Sequence, residues 1–193
     1  MTKKEIIIQA ATELFTEKGY RETTTSDIRK KAKVAQGTLF YHFANKEGIL
    51  LHIFSSIINS QLEAIKFFPS NEGTGMEALI KYAQFCNDLR REEGSTLVFV
   101  LPNFVPSLLY QHEETKKIFL EFFDTSIAQV EYLIKRGIED GSIREMDPHT
   151  TAHFFIATSI GIDRHMTLTI APTPNLFPTY LNFMKKALAP EAT

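Results

Sequence analysis

Residues 23 to 50 read TTTSDIRKKAKVAQGTLFYHFANKEGIL, a run that crowds hydroxyls, cations and aromatics around a short apolar helical pattern. Thr24, Thr25 and Ser26 stand where a helix begins, with Asp27 three residues after Thr24 at capping-box spacing. A helix N-terminus dressed in this way offers N–H groups and hydroxyls to a phosphate. After a turn over Lys33 to Ala35, Gln36, Gly37 and Thr38 open a second short helix. Gln36 can bind adenine in bidentate fashion, and Thr38 can donate, accept or touch a thymine methyl; Gly37 lets a backbone come close. Lys33, Tyr41 and His42 are further candidates for the same duplex. Lys46 sits in the first turn of the next helix, where a cation opposes the macrodipole by roughly 0.3–1 kcal/mol, a loss that an external phosphate would offset.

Those side chains need two helices joined by a three-to-four-residue turn, which is the helix-turn-helix arrangement. In it the second helix enters the major groove and its first residues reach base edges. Ile28, Ala32, Val34 and Leu39 supply the apolar side of the pair. A preceding helix carries Ile7, Ala11, Leu14 and Phe15 on one face and ends at Gly19, placed for a left-handed C-terminus. A long helix follows Asn45 to about Phe67. Beyond the loop at 69–75, periodicity predicts helices over 76–91 and 113–140, a proline-broken helical stretch over 96–110, and a helix after Asp147-Pro148 to about Thr169. A last helix spans about 177–188. The chain therefore reads as all-α, about nine helices, with a head over residues 1–60 and a helical body over 61–193.

Net charge of −2 divides unevenly: residues 1–53 hold 9 Lys+Arg against 6 Asp+Glu, and residues 54–193 hold 12 against 17. A basic head on an acidic body suits local phosphate contact, because counterion release depends on the charges at the contact face. The single Cys86 and the absence of a signal-like start point to the cytoplasm. Uncharged runs at 95–111 and 165–184 are too rich in proline and polar residues for membrane spans. No nucleophile elbow, phosphate-cradling glycine loop, paired-cysteine site or framed acid pair is present, so neither an enzyme nor a cofactor is expected. His149 and His153 share a helix face without a clear third ligand and are expected to bind no metal.

The chain resembles the TetR family of bacterial one-component transcription regulators. IIIQAATELFTEKGY is similar to that family's first helix, TTTSDI to the entry of the second, and GTLFYHFANKEGIL to the recognition helix and the start of the fourth. RGIEDGSIREMDPHTTAHFF is similar to a joint common between its seventh and eighth helices. Three positions depart from the family's usual residues. Lys33 replaces a turn glycine, at about 1–2 kcal/mol if left-handed. Phe40 replaces a tyrosine and lacks its hydroxyl, and Arg29 replaces a small alanine and must snorkel out of the helix pair or reach DNA itself.

The resemblance implies a homodimer joined through its last two helices, with Ala152, Ile156, Ser159, Ile160, Leu181 and Met184 as interface candidates. It also implies a small-molecule inducer enclosed by the middle helices and a palindromic double-stranded operator, most commonly under repression. Segments 96–110, 118–123 and 152–158 contain one acid and no Lys or Arg, so a neutral or weakly polar ligand with apolar or aromatic bulk is expected. Phe99, Phe104, Phe119, Phe122 and Phe155 would hold it, and Asn103, Tyr110 and Thr158 would orient it. The alternative is a DNA-bound architectural or protein-interaction factor without an inducer.

Overall fold

The computed structural model describes residues 1–91, 111–168 and 173–191, the side chains of residues 167 and 168 excepted, and all regular structure there is helical. The helices are α1 (Lys3–Lys18), α2 (Thr25–Ala32), α3 (Gln36–His42), α4 (Lys46–Lys66), α5 (Gly75–Arg91), α6 (Glu113–Glu139), α7 (Pro148–Leu168) and α8 (Phe177–Leu188). That makes eight among the described residues; the stretch expected over 96–110 lies outside them. The chain forms two units: Met1–Ser60 with the segment ending at Phe119, and Gln61–Arg91 with Leu120–Thr193.

In the first unit α1 begins at a reciprocal box, Thr2 accepting from the Glu5 N–H while Glu5 accepts from the Thr2 N–H. It ends at Gly19 with φ 84° and ψ 160°. The positive φ was expected; the extended ψ belongs to a region essentially reserved for glycine and differs from the left-handed helical value expected. Ile7, Ala11 and Phe15 from α1 meet Ile28, Leu39, Ile49 and Leu50 in one closed core. Each of the Ile, Leu and Phe side chains contributes roughly 1.5–3 kcal/mol by burial, as an upper figure. Ala10 joins them and Leu14 only borders them, so the buried stripe is rotated slightly from the expected one.

In the second unit α5, α6, α7 and α8 close on Leu79, Tyr82, Val130, Leu133, Ile134, Ala152, Phe155, Tyr180 and Met184. Gly75 and Gly137 permit the tightest approach: a Cβ on Gly75 would fall on the backbone of Gly137 and Arg136. Around it, the Gly75 N–H donates to Asp140 Oδ2, the Met76 N–H to Ser142 Oγ, and the Arg136 guanidinium to the Ser70 and Gly73 carbonyls. Asp147 caps α7 by accepting from the Thr150 N–H at 2.8 Å. Helix α4 is long and apolar enough to cross a membrane by length and composition alone, but Ile49, Leu50, Ile53, Phe54, Ile58, Leu62 and Ile65 are buried in the protein.

Candidate nucleic-acid interface

The N-terminus of α2 is held by the box anticipated at Thr24. The Thr24 hydroxyl accepts from the Asp27 N–H at 3.1 Å and donates to Asp27 Oδ2 at 2.8 Å, and the Thr24 N–H donates to the same oxygen at 2.9 Å. The Lys18 ammonium bonds Asp27 as well, and these bonds, Lys18 first, hold its carboxyl well below the usual range. Thr24 therefore does not fit its expected role as a phosphate ligand, because its N–H and its hydroxyl proton are committed to Asp27. Thr25, half-buried, and Ser26, exposed, keep theirs at the positive end of the helix.

The chain turns between α2 and α3 at Lys33, whose φ of 52° and ψ of 44° are left-handed. Its N–H donates to the Lys30 carbonyl and the Val34 N–H to the Arg29 carbonyl, closing the end of α2. The cation that stands for a turn glycine thus occupies the glycine conformation and leaves its ammonium exposed. Val34 and Leu39 anchor the following helix in the core, so Gln36 and Gly37 are exposed on its opposite side and Thr38 is half-exposed. The Gln36 amide takes part in no hydrogen bond among the described residues. Tyr41 is 85% exposed, edge-on to His42 with ring centroids 5.1 Å apart. Phe40 is 44% exposed, and Arg29 is half-buried.

Lys46 corrects the sequence expectation. Its ammonium donates to the carbonyls of Tyr20 and Thr23 at 2.8 Å and of Arg21 at 3.4 Å. Three carbonyls in the loop after α1, and not an external phosphate, are what this cation at a helix start compensates; partial burial pulls its pKa down. Elsewhere Lys18 is paired with Asp27, and Lys31 with Glu13 and Glu17. Lys30 and Lys33 are exposed and carry no carboxylate partner among the described residues. Lys30 was not singled out by sequence; a basic run alone does not tell which of its members an acid neutralises.

The other candidate sites separate. Phe99, Asn103, Phe104 and Tyr110 lie outside the described residues. Phe119 packs on Phe54 at 6.0 Å in the first unit, whereas Phe122 and Phe155 belong to the core of the second. Thr158 spends its hydroxyl proton on the Phe154 carbonyl. Of the interface candidates, Ala152, Ser159 and Met184 are covered by their own chain, and Ile156 and Leu181 pack against that core. A buried side chain is unavailable to a second subunit, so the assignments of Ala152, Ser159 and Met184 are corrected, whereas Ile156, Ile160 and Leu181 are half-buried. The outward apolar residues of the two helices are instead Phe154, 62% exposed, and Phe183, 69% exposed. Among the described residues no group of three or more His, Cys, Asp or Glu is arranged for a metal, and His149 bonds Glu131 at 2.9 Å.

Residues 7–53 match the family described as bacterial regulatory proteins, tetR family. The HTH-type transcriptional regulator YhgD of Bacillus subtilis is 24% identical over 166 residues, 83% of this chain and 82% of that protein. The fatty acid metabolism regulator protein of the same organism is 27% identical over 140 residues, 72% of this chain and 70% of that one. In fold, the chain is similar to the transcriptional regulator FadR from Bacillus subtilis in complex with stearoyl-CoA, with a TM-score of 0.70 and 22% identity over 95% of this chain and 98% of that one.

Proposed function

We propose that this chain, which belongs to the TetR family of bacterial transcription regulators, is a homodimeric repressor that leaves a palindromic operator when a small, mainly apolar ligand binds it. The observation that carries the DNA-reading half is the outward start of α3, where Gln36, Gly37 and Thr38 are presented by buried Leu39 and flanked by exposed Lys33 and Tyr41. Base edges are read by Gln36 and Thr38; phosphates are met by Thr25, Ser26, Lys33, Tyr41 and His42. Such a head works on cytoplasmic DNA.

A palindrome demands two heads, and the exposed Phe154 and Phe183 are the apolar residues that a second copy would cover. The ligand acts by population shift, favouring a conformer in which the two recognition helices no longer match successive major grooves. Support for apolar bulk in the ligand comes from the aromatic-rich helical body and from the acyl chain, though not the anionic CoA part, of the stearoyl-CoA held by a protein of similar fold. The head module spans residues 1–60 and the ligand-binding and dimerisation module residues 61–193.

Calorimetric screening of hydrophobic compounds against cationic dyes and small anions, followed by operator titration, tests this reading. An apolar compound should bind and lower operator affinity, and operator DNA should lower that compound's affinity by the same factor. Binding and release by the charged classes alone would contradict it.

A further inference from the structure

Helix α2 carries cations on two sides, and the two sides are compensated differently. Toward α1, the Lys31 ammonium is paired with Glu13 at 2.9 Å and with Glu17 at 3.0 Å, and the Lys18 ammonium of α1 is paired with Asp27 at 2.8 Å. On the opposite side stand Ser26 and Lys30, four residues apart and therefore one above the other on the helix surface, turned away from the buried Ile28 and Ala32. Lys33 follows them at the left-handed end of the helix. All three are exposed.

Asp27, three residues before Lys30, is the acid placed by spacing to neutralise it. Its carboxylate is turned instead to Lys18 and to the Thr24 hydroxyl and N–H. A lysine in the last turn of a helix does complement the dipole there, and that alone would account for one cation. It does not account for the sorting. The acids that pair with this helix pair lie on the α1 side, and the side that runs on through Lys33 toward Gln36 and Thr38 keeps its cations uncompensated among the described residues. From Ser26 to Lys33 that edge is about 10 Å long at the helical rise. In a helix-turn-helix the first helix of the pair crosses the sugar-phosphate strand beside the groove, and α2 is that helix.

We propose that Lys30 is a phosphate-contacting residue which, with Ser26 and Lys33, makes the outer edge of α2 a rail for one strand of duplex DNA. This rests on the DNA-binding reading above and deepens it by adding a residue that neither the helix start nor the turn announces. The rail carries no base information, because phosphates position a protein without specifying sequence. It sets affinity and salt dependence, while Gln36 and Thr38 set base preference.

The unaltered chain, Lys30→Gln, Lys30→Arg and Lys31→Gln are titrated over a range of salt concentrations against two probes, a duplex of random sequence and the duplex that the unaltered protein enriches from a random pool. Lys30→Gln exchanges one good helix former for another at an exposed position and should fold as before. It should weaken binding to both probes by the same factor and reduce the slope of log affinity against log salt by about one per head. Lys30→Arg should restore the slope. Lys31→Gln removes the same charge one residue away, on the paired side, and should lower the melting temperature without changing the slope. An unchanged slope in Lys30→Gln, an equal fall in Lys31→Gln, or a loss confined to the enriched duplex would each overturn the proposal. No binding to either probe would overturn it together with the DNA-binding reading. If no duplex is enriched but binding of random DNA still depends on Lys30, the operator reading fails and the rail stands.

Discussion

The Lys46 ammonium lies 4.2 Å from the centroid of the Tyr20 ring while donating to the Tyr20 carbonyl at 2.8 Å, so one cation grips both the face and the backbone of a residue in the loop after α1. The loop it grips is fixed a second time by Thr23, whose hydroxyl reaches the Gly19 carbonyl at 2.8 Å and the Leu14 carbonyl at 3.2 Å. Lys46 thus positions the start of α4 against the helix that supports the DNA-reading pair. Lys46→Ala should destabilise the protein by on the order of 2 kcal/mol, as loss of charge-assisted hydrogen bonds does. It should weaken operator and random DNA alike and leave the slope of log affinity against log salt unchanged. A slope smaller by about one would show a phosphate contact instead.

Asp27 gives a prediction in pH. The Lys18 ammonium, then the Thr24 hydroxyl and N–H, depress its carboxyl in the folded state. A depressed carboxyl contributes stability that is complete above the unfolded value near pH 4 and is lost as the pH falls toward the folded value. The difference in melting temperature between the unaltered protein and Asp27→Asn should therefore be constant above about pH 5 and should narrow below pH 4. A gap that widens on acidification would reverse the assigned sign.

The outward aromatics of α7 and α8 are tested by charge. Phe154→Glu and Phe183→Glu place an acid where the second subunit is proposed to lie, and each should weaken the dimer by about 2–4 kcal/mol, giving monomers in sedimentation. Because both side chains are mostly exposed in the single chain, denaturant unfolding of the resulting monomer should retain its cooperativity. Intact dimers in both variants would place the interface elsewhere.

Gly75 and Gly137 differ in what a methyl group would meet. On Gly75 it would strike backbone, while on Gly137 it would meet the buried, β-branched side chain of Ile143, at 2.5 Å from Cδ1, 2.6 Å from Cγ1 and 3.1 Å from Cβ. Both substitutions should destabilise in urea denaturation, Gly75→Ala by about 3 kcal/mol and Gly137→Ala by about 2 kcal/mol. The reverse order would mean that the α5–α6 crossing adjusts more readily than the Ile143 packing.

Helix starts were legible in the sequence because their signals are local: Thr24 with Asp27, Asn45 before Lys46, and Asp147-Pro148 all sit where their spacing places them. The left-handed turn at Lys33 was legible only through the family resemblance, which puts a glycine at that position. Side-chain commitments were not legible. The three carbonyls around Lys46 lie more than twenty positions away in sequence, and no pattern within α4 announces them. The phase of α7 is only partly legible, for a related reason. Helices α7 and α8 carry apolar residues on two sides, and periodicity alone cannot say whether Ala152 and Met184 or Phe154 and Phe183 face inward. The pairing of Arg90 with Asp163 is not legible, because neither residue announces its partner until the fold buries them together.

Selection from a pool of randomised duplexes, run in parallel on the unaltered protein and on Gln36→Ala, tests base reading by α3 most directly. The unaltered protein should enrich a palindrome whose two half-sites are set one or two helical turns apart. Gln36→Ala should keep the same spacing but lose preference at one symmetric pair of positions, by roughly 1–3 kcal/mol per contact. Enrichment of no palindrome, or an identical consensus from both proteins, would contradict the assignment of Gln36 as a base-reading residue.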